Sequence, residues 1–223
     1  MSVVTISGQV GSGYTVFAER LAKTIGYKLV DRDVFETVLI EYGFVDIEEL
    51  LDTPPSIFER LGGDRHEAIA LLNNMYHCFA KQDNLVIASR LAYLLLHKYI
   101  NVLNVFLESP LEERIQNVMK MRQVDEVEAE KIVIYNENVR IKLIESFYHE
   151  KWDSFLPFSL VVNTHKIGLD LTENLIVEAA SKLGTQDHHI KMQEKGAYSS
   201  IHDIETDSVL ENVVKKVLSE REY

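Results

Sequence analysis

A short apolar run, Val3-Val4-Thr5-Ile6, leads straight into a glycine-spaced segment, Gly8-Gln9-Val10-Gly11-Ser12-Gly13-Tyr14-Thr15, and that segment leads straight into a helical pattern. The first run has the length and composition of a buried strand. Phe17, Ala18, Leu21, Ala22 and Ile25 recur at helical spacing over residues 15–25, and Gly26 stands where a helix C-terminus favours glycine. A strand, a glycine-rich turn and a helix in immediate succession leave few folds open. The glycines let the chain turn tightly, successive backbone N–H groups form an anion-binding concavity, and the helix N-terminus adds partial positive charge.

The phosphate-binding loop of this kind follows G-x-x-x-x-G-K-[ST]. Gly8, Gly13 and Thr15 fit it, Gly11 and Ser12 fall between, and Tyr14 stands where the lysine belongs. On this reading Gly8, Gly11, Ser12, Gly13, Tyr14 and Thr15 hold phosphate. Two other readings compete. A dinucleotide-binding turn needs G-x-G-x-x-G and an acid about 20 residues on. Asp31 sits at a fitting distance, but the spacing here is G-x-x-G-x-G. The third reading is a tight turn with no ligand.

Strand and helix patterns alternate through the rest of the chain. Strands are expected at 27–30, 85–87, 102–107 and 158–162, and helices at 33–42, 66–81, 125–148 and 169–183. Ser109-Pro110-Leu111-Glu112 reads as an N-cap, a first-position proline and a capping box, so another helix begins there. Each strand is a continuous apolar run, which argues a parallel sheet covered on both faces. After Gly184 the composition turns polar to about residue 206. Ser208 and Glu211 then repeat the capping-box pattern and open an amphipathic helix at 208–222, with Val209, Leu210, Val213, Val214, Val217 and Leu218 on one stripe. That stripe must be buried, either on the chain's own core or against a second copy in a homodimer.

Charge and cysteine content narrow the partners. Lys and Arg number 23 against 35 Asp and Glu, a net charge of -12. Duplex nucleic acid, whose phosphates demand a basic face, is thereby disfavoured, while a small anion held by a local arginine cluster is not. No run approaches the roughly 20 apolar residues of a membrane span. The single cysteine, Cys78, forms no internal disulfide and reads as a small buried thiol. With no basic, apolar leader in MSVVTISG, the expected location is cytoplasmic. His188 and His189 are adjacent and lack further partners, so they make a poor metal site.

At this point the chain resembles the cytidylate kinase-like family, a branch of the nucleoside monophosphate kinases. The resemblance runs through residues 3–33 (VVTISGQVGSGYTVFAERLAKTIGYKLVDRD), NLVIASR at 84–90, VFLESPLEERI at 105–115, the segment ending Asn138-Val139-Arg140, and FSLVVNT at 158–164. It implies an α/β P-loop fold over residues 1–184: three layers, a five-stranded parallel sheet and a helical lid at about 114–152. Residues 185–223 lie outside it as a C-terminal extension. The activity implied is phosphorylation of a cytidylate-type nucleotide by ATP with Mg²⁺. Thr15 would be the magnesium hydroxyl ligand. Asp31, Arg32 and Arg90 would bind the acceptor, and Arg90, Arg114 and Arg140 would serve catalysis.

The chain also departs from the family. Tyr14 replaces a small residue, Ala88-Ser89-Arg90 replaces a glycine-arginine pair, Glu137 replaces the aspartate of D-x-x-R, and no acid follows the third strand to help hold magnesium. A catalytically weak nucleotide-binding or sensing protein is therefore the alternative reading, because removing charge stabilisation from a phosphoryl site costs orders of magnitude in rate.

Overall fold

The computed structural model describes residues 2–43, 65–149, 151, 155, 157–183, 185 and 198–221. Five strands, β1 (Val3–Gly8), β2 (Lys28–Val30), β3 (Leu85–Ala88), β4 (Val102–Glu108) and β5 (Leu160–Asn163), form one parallel sheet in the order β2-β3-β1-β4-β5. This is not the 3-2-1-4-5 order of the dinucleotide-binding fold, so the competing reading of the glycine turn is set aside. Around the sheet run α1 (Tyr14–Ile25), α2 (Arg32–Tyr42), α3 (Arg65–Ala80), α4 (Ala92–Leu96), α5 (Leu111–Arg122), α6 (Glu126–Tyr148), α7 (Thr164–Ile167), α8 (Leu169–Leu183) and α9 (Ser208–Glu220).

The two-residue period of the strands divides the core into layers. Val4, Ile6, Val86, Leu103, Val105 and Leu107 pack against Phe17, Ala18 and Leu21 of α1 and Ile176 and Ala180 of α8. Val3, Leu85, Ile87 and Val102 point the other way, onto Val34, Phe35 and Val38 of α2, Met75 and Phe79 of α3, and Tyr93 and Leu96 of α4. Burying a Val, Leu, Ile or Phe side chain contributes about 1.5–3 kcal/mol, so these two layers supply most of the folding drive. Cys78 lies fully buried in the second layer.

The stripe of the last helix is buried by the chain itself. Leu210, Val214, Val217 and Leu218 join the α2/α3 layer, while Val209, counted into the stripe, faces solvent. Polar contacts fix the dock: Lys216 Nζ to Glu41 at 2.7 Å, Lys81 Nζ to the Ile204 carbonyl at 2.9 Å, and Tyr42 Oη to Asp207 at 3.2 Å.

Several expected details shift. The last strand begins at Leu160, because Phe158 turns in to stack on Tyr93 and Phe106, with ring centroids 4.3 and 5.0 Å apart. Ser109 is not the cap of α5. Pro110 occupies that position, and the Ser109 hydroxyl bonds Thr164 Oγ1 at 3.0 Å instead, since a buried hydroxyl takes the nearest partner. At α9 the cap is Asp207, one residue early, and its carboxylate accepts the N–H groups of Val209 and Leu210. The short helices α4 and α7 are additions to the expected elements. His188, His189 and Trp152, and most of the polar stretch after Gly184, lie outside the described residues.

Candidate active site

The glycine loop begins at Gly8, the last residue of β1, and ends at Gly13, the N-cap of α1. Gly11 and Gly13 adopt φ of 84° and 77°, a region that costs any residue with a Cβ. At Gly11 a second constraint acts: a Cβ would stand 2.5 Å from the Arg114 carbonyl oxygen. The N-terminus of α1 carries no side-chain cap and no acidic residue in its first turn. Its partial positive charge is thus left to a ligand.

Side chains from the α5–α6 hairpin hold the loop from outside. Glu137 Oε1 accepts the Val10 N–H at 2.7 Å and the Arg114 guanidinium at 3.3 Å. Arg114 also donates to the Val10 and Ser109 carbonyls, both at 3.2 Å, and Asn117 Nδ2 donates to the Gly11 carbonyl at 2.9 Å. Gln9 Oε1 accepts the Ser109 N–H at 3.1 Å. Burial pushes the Arg114 guanidinium below its ordinary value, and Glu137 works against that shift.

Beside the loop, at the C-terminal ends of β2 and β3, lies a cavity of about 230 Å³. A parallel sheet presents its ligand crevice at this end. Tyr14 and Thr15 border it from α1, Asp31 and Arg32 from the start of α2, Ser89 and Arg90 from the turn after β3, and Val139 and Arg140 from α6. Phe35, Tyr76, Ile87 and Leu143 give it apolar walls.

Arg140 is 2% exposed, donates to the Gly8 carbonyl at 2.6 Å and lies 5.5 Å over the Phe106 ring. Its pKa is lowered, first by burial and in part by Arg90, against the pull of Tyr93, Glu137 and Tyr14. The positive field of Arg90 thus falls on Arg140, an arrangement that favours an anion between or beside them. Asp31 caps α2 through the Val34 N–H at 3.0 Å, and Arg32 pairs with Glu36 at 2.5 Å.

The structure therefore brings together Tyr14, Thr15, Asp31, Arg32, Arg90 and Arg140. Arg114 does not line the cavity; it is buried behind the loop. Glu137, noted in the sequence only as a substituted aspartate, is the loop's brace. Tyr76 and Ser89 are new to the site. Their hydroxyls lie 2.6 Å apart, and Ser89 Oγ accepts the N–H groups of Leu91 and Ala92, so it secures the turn that carries Arg90. Burial raises the Tyr76 phenol and keeps it neutral. Tyr76 reads in sequence as one more residue of an apolar helical stripe, with no local signal for its hydroxyl.

Among the described residues no group of three or more His, Cys, Asp or Glu side chains could hold a metal, and no helix is long and apolar enough to cross a membrane. The cytidylate kinase-like family matches residues 3–166. A cytidylate kinase of Ignicoccus hospitalis is 30% identical over 171 residues, covering 75% of this chain and 92% of its own. A cytidylate kinase of Methanocaldococcus jannaschii is 26% identical, covering 81% and 98%. An uncharacterized Eubacterium ventriosum protein shares the fold at a TM-score of 0.62 and 20% identity, and a Bacteroides thetaiotaomicron shikimate kinase at 0.50 and 13%. Each covers 81% of this chain and 98% of its own.

Proposed function

Because this chain belongs to the cytidylate kinase-like family, we propose that it transfers the terminal phosphoryl group of ATP to a cytidylate-type nucleoside monophosphate. The observation that carries this reading is the cavity itself. An uncapped helix N-terminus with Tyr14 and Thr15 borders it on one side, and Arg32, Arg90 and Arg140 border it on the other. Phosphoryl transfer asks a protein mainly to align two anions and to neutralise charge, and these groups are suited to both tasks. At about 230 Å³ the cavity falls below the roughly 300–1,000 Å³ of clefts that enclose a whole drug-sized ligand, so the donor's nucleoside lies outside it.

In this mechanism the backbone of Gly11 to Thr15 holds the donor phosphates, with Glu137, Arg114 and Asn117 keeping the loop in shape. Arg90 and Arg140 hold the acceptor phosphate in line and offset charge on the moving group. Asp31 accepts a hydrogen bond from a ligand hydroxyl or amino group. The donor set fits Mg²⁺ only as an ion that arrives with the nucleotide: the Thr15 hydroxyl would join phosphate oxygens and water, and the ion would neutralise charge on the phosphates. The helices α5 and α6 form a hairpin with Ile115, Val118, Ala129 and Val133 as its own apolar seam, and this hairpin would supply the body of the lid expected at about 114–152.

Tyr14 supports a second reading, nucleotide binding with little turnover, because a phenol is uncharged near neutral pH. Single-turnover transfer of labelled phosphate from ATP to CMP distinguishes the two. Slow transfer, raised more in rate than in affinity by Tyr14→Lys, is the expected result. Binding of both nucleotides without transfer supports the second reading. No binding of either at millimolar concentration refutes both, and turnover of ~10 s⁻¹ or faster in the unaltered chain refutes the role given to Tyr14.

A further inference from the structure

Asp31, the one carboxylate that borders the cavity among the described residues, is met by a cation from the far end of the chain. Arg221 Nη1 lies 3.4 Å from Asp31 Oδ1, and both side chains are about one-third exposed, at 34% and 33%. Arg221 lies beyond residues 3–166, the part that matches the family. Its place follows from the dock of α9. Leu218 is buried on the core, and its carbonyl accepts Lys28 Nζ from β2 at 2.7 Å. The last turn of α9 is thereby fixed to the strand that ends one residue before Asp31, and Arg221 follows three residues on. Lys216 ties the preceding turn to Glu41 of α2, the helix that Asp31 caps.

We infer that the C-terminal extension completes the acceptor site and that Arg221 is a positioning residue acting through Asp31. The inference rests on the nucleotide-kinase reading above. A lone carboxylate at the rim repels an incoming phosphate, and a guanidinium beside it offsets that repulsion. The same contact holds one carboxylate oxygen, which also accepts the Val34 N–H, and so orients the group toward a hydrogen-bond donor on the acceptor. Among the described residues Arg221 makes no hydrogen bond or ion pair with the glycine loop or Thr15, so the donor side should not sense it.

The test is calorimetric titration of the full chain with CMP and separately with ATP, together with steady-state kinetics. Arg221→Ala should weaken CMP binding and raise its KM by a factor of about 2 to 5, the range an exposed ion pair spans. ATP affinity and kcat should hold, and Arg221→Lys should restore most of the CMP affinity. In an Asp31→Asn background the Arg221→Ala effect should vanish. A purely structural tail would lower the melting temperature and leave the CMP-to-ATP ratio unchanged. Equal CMP affinity in Arg221→Ala and the unaltered chain overturns the inference, as does an effect that persists in full with Asp31→Asn. Should Arg221→Ala fail to fold, Arg221→Gln carries the same comparison. If the unaltered chain binds ATP but no CMP, the acceptor reading itself fails and this inference with it.

Discussion

Gly11 and Gly13 share a backbone region but not a neighbourhood, and replacing each by alanine separates the two costs. At Gly13 a Cβ meets nothing within 4 Å, so Gly13→Ala carries only the penalty of a left-handed alanine, about 1–2 kcal/mol. At Gly11 the same penalty applies at φ 84°, and the Cβ also stands 2.5 Å from the Arg114 carbonyl oxygen and 3.0 Å from its carbonyl carbon. That neighbour is backbone at the start of α5 and cannot rotate away. Relief requires the loop and α5 to part, which breaks the Asn117 bond to the Gly11 carbonyl and the Arg114 bond to the Val10 carbonyl. A neutral hydrogen bond contributes about 0.5–1.5 kcal/mol and one from a charged donor about 1.5–3. Gly11→Ala should therefore cost about 3–6 kcal/mol, a large part of the 5–15 that a domain has in total. Urea unfolding followed by circular dichroism measures both variants. Equal losses for the two would show that α5 does not constrain the loop and that the brace around it is incidental.

Arg90→Ala should weaken CMP binding by at least ~1.5 kcal/mol, the lower end for a hydrogen bond to a charged group, while leaving the melting temperature nearly unchanged; calorimetry with a melt in parallel checks both. Leu210, fully buried between α9 and the α2/α3 layer, should cost about 2–5 kcal/mol as Leu210→Ala, read as a lower urea midpoint. The Cys78 thiol is pushed up from 9.0 to about 11 by burial. The unfolded chain releases that proton first, so the contribution is complete below pH 9 and is lost as pH rises from 9 toward 11. Stability measured between about pH 8.5 and 9.5, where ordinary tyrosines are still mostly protonated, should fall more steeply in the unaltered chain than in Cys78→Ala.

Much of this protein was legible in its residues because the signals were local. The run Val3 to Ile6, the glycines of the loop and the stripe on α1 each state their geometry within a dozen residues. Period-two alternation and 3.6-residue stripes reflect the backbone's own repeat, so the five strands and the long helices followed from them. Boundaries were less secure where a side chain chose a distant partner over a local one. Ser109 turned to Thr164 rather than capping α5, and Phe158 left its strand to stack on Tyr93.

The site divides in the same way. Sequence alone singled out the candidates for holding phosphate, Gly8, Gly11, Ser12, Gly13, Tyr14 and Thr15, with Tyr14 standing where the loop pattern has lysine, and it marked Asp31, Arg32 and Arg90 as strand-end residues. Only the tertiary structure decided which arginines reach the cavity. Arg114 and Arg140 look alike along the chain, each on a polar helical stretch. The packing of α5 and α6 sets Arg114 behind the loop beside Glu137 and brings Arg140 to the Gly8 carbonyl. Likewise, nothing near Arg221 in sequence points to Asp31, 190 residues away. Their meeting depends on α9 burying Leu210, Val214, Val217 and Leu218 beside α2. A contact between distant residues is set by the sum of burial over a whole layer, and no local pattern encodes that sum.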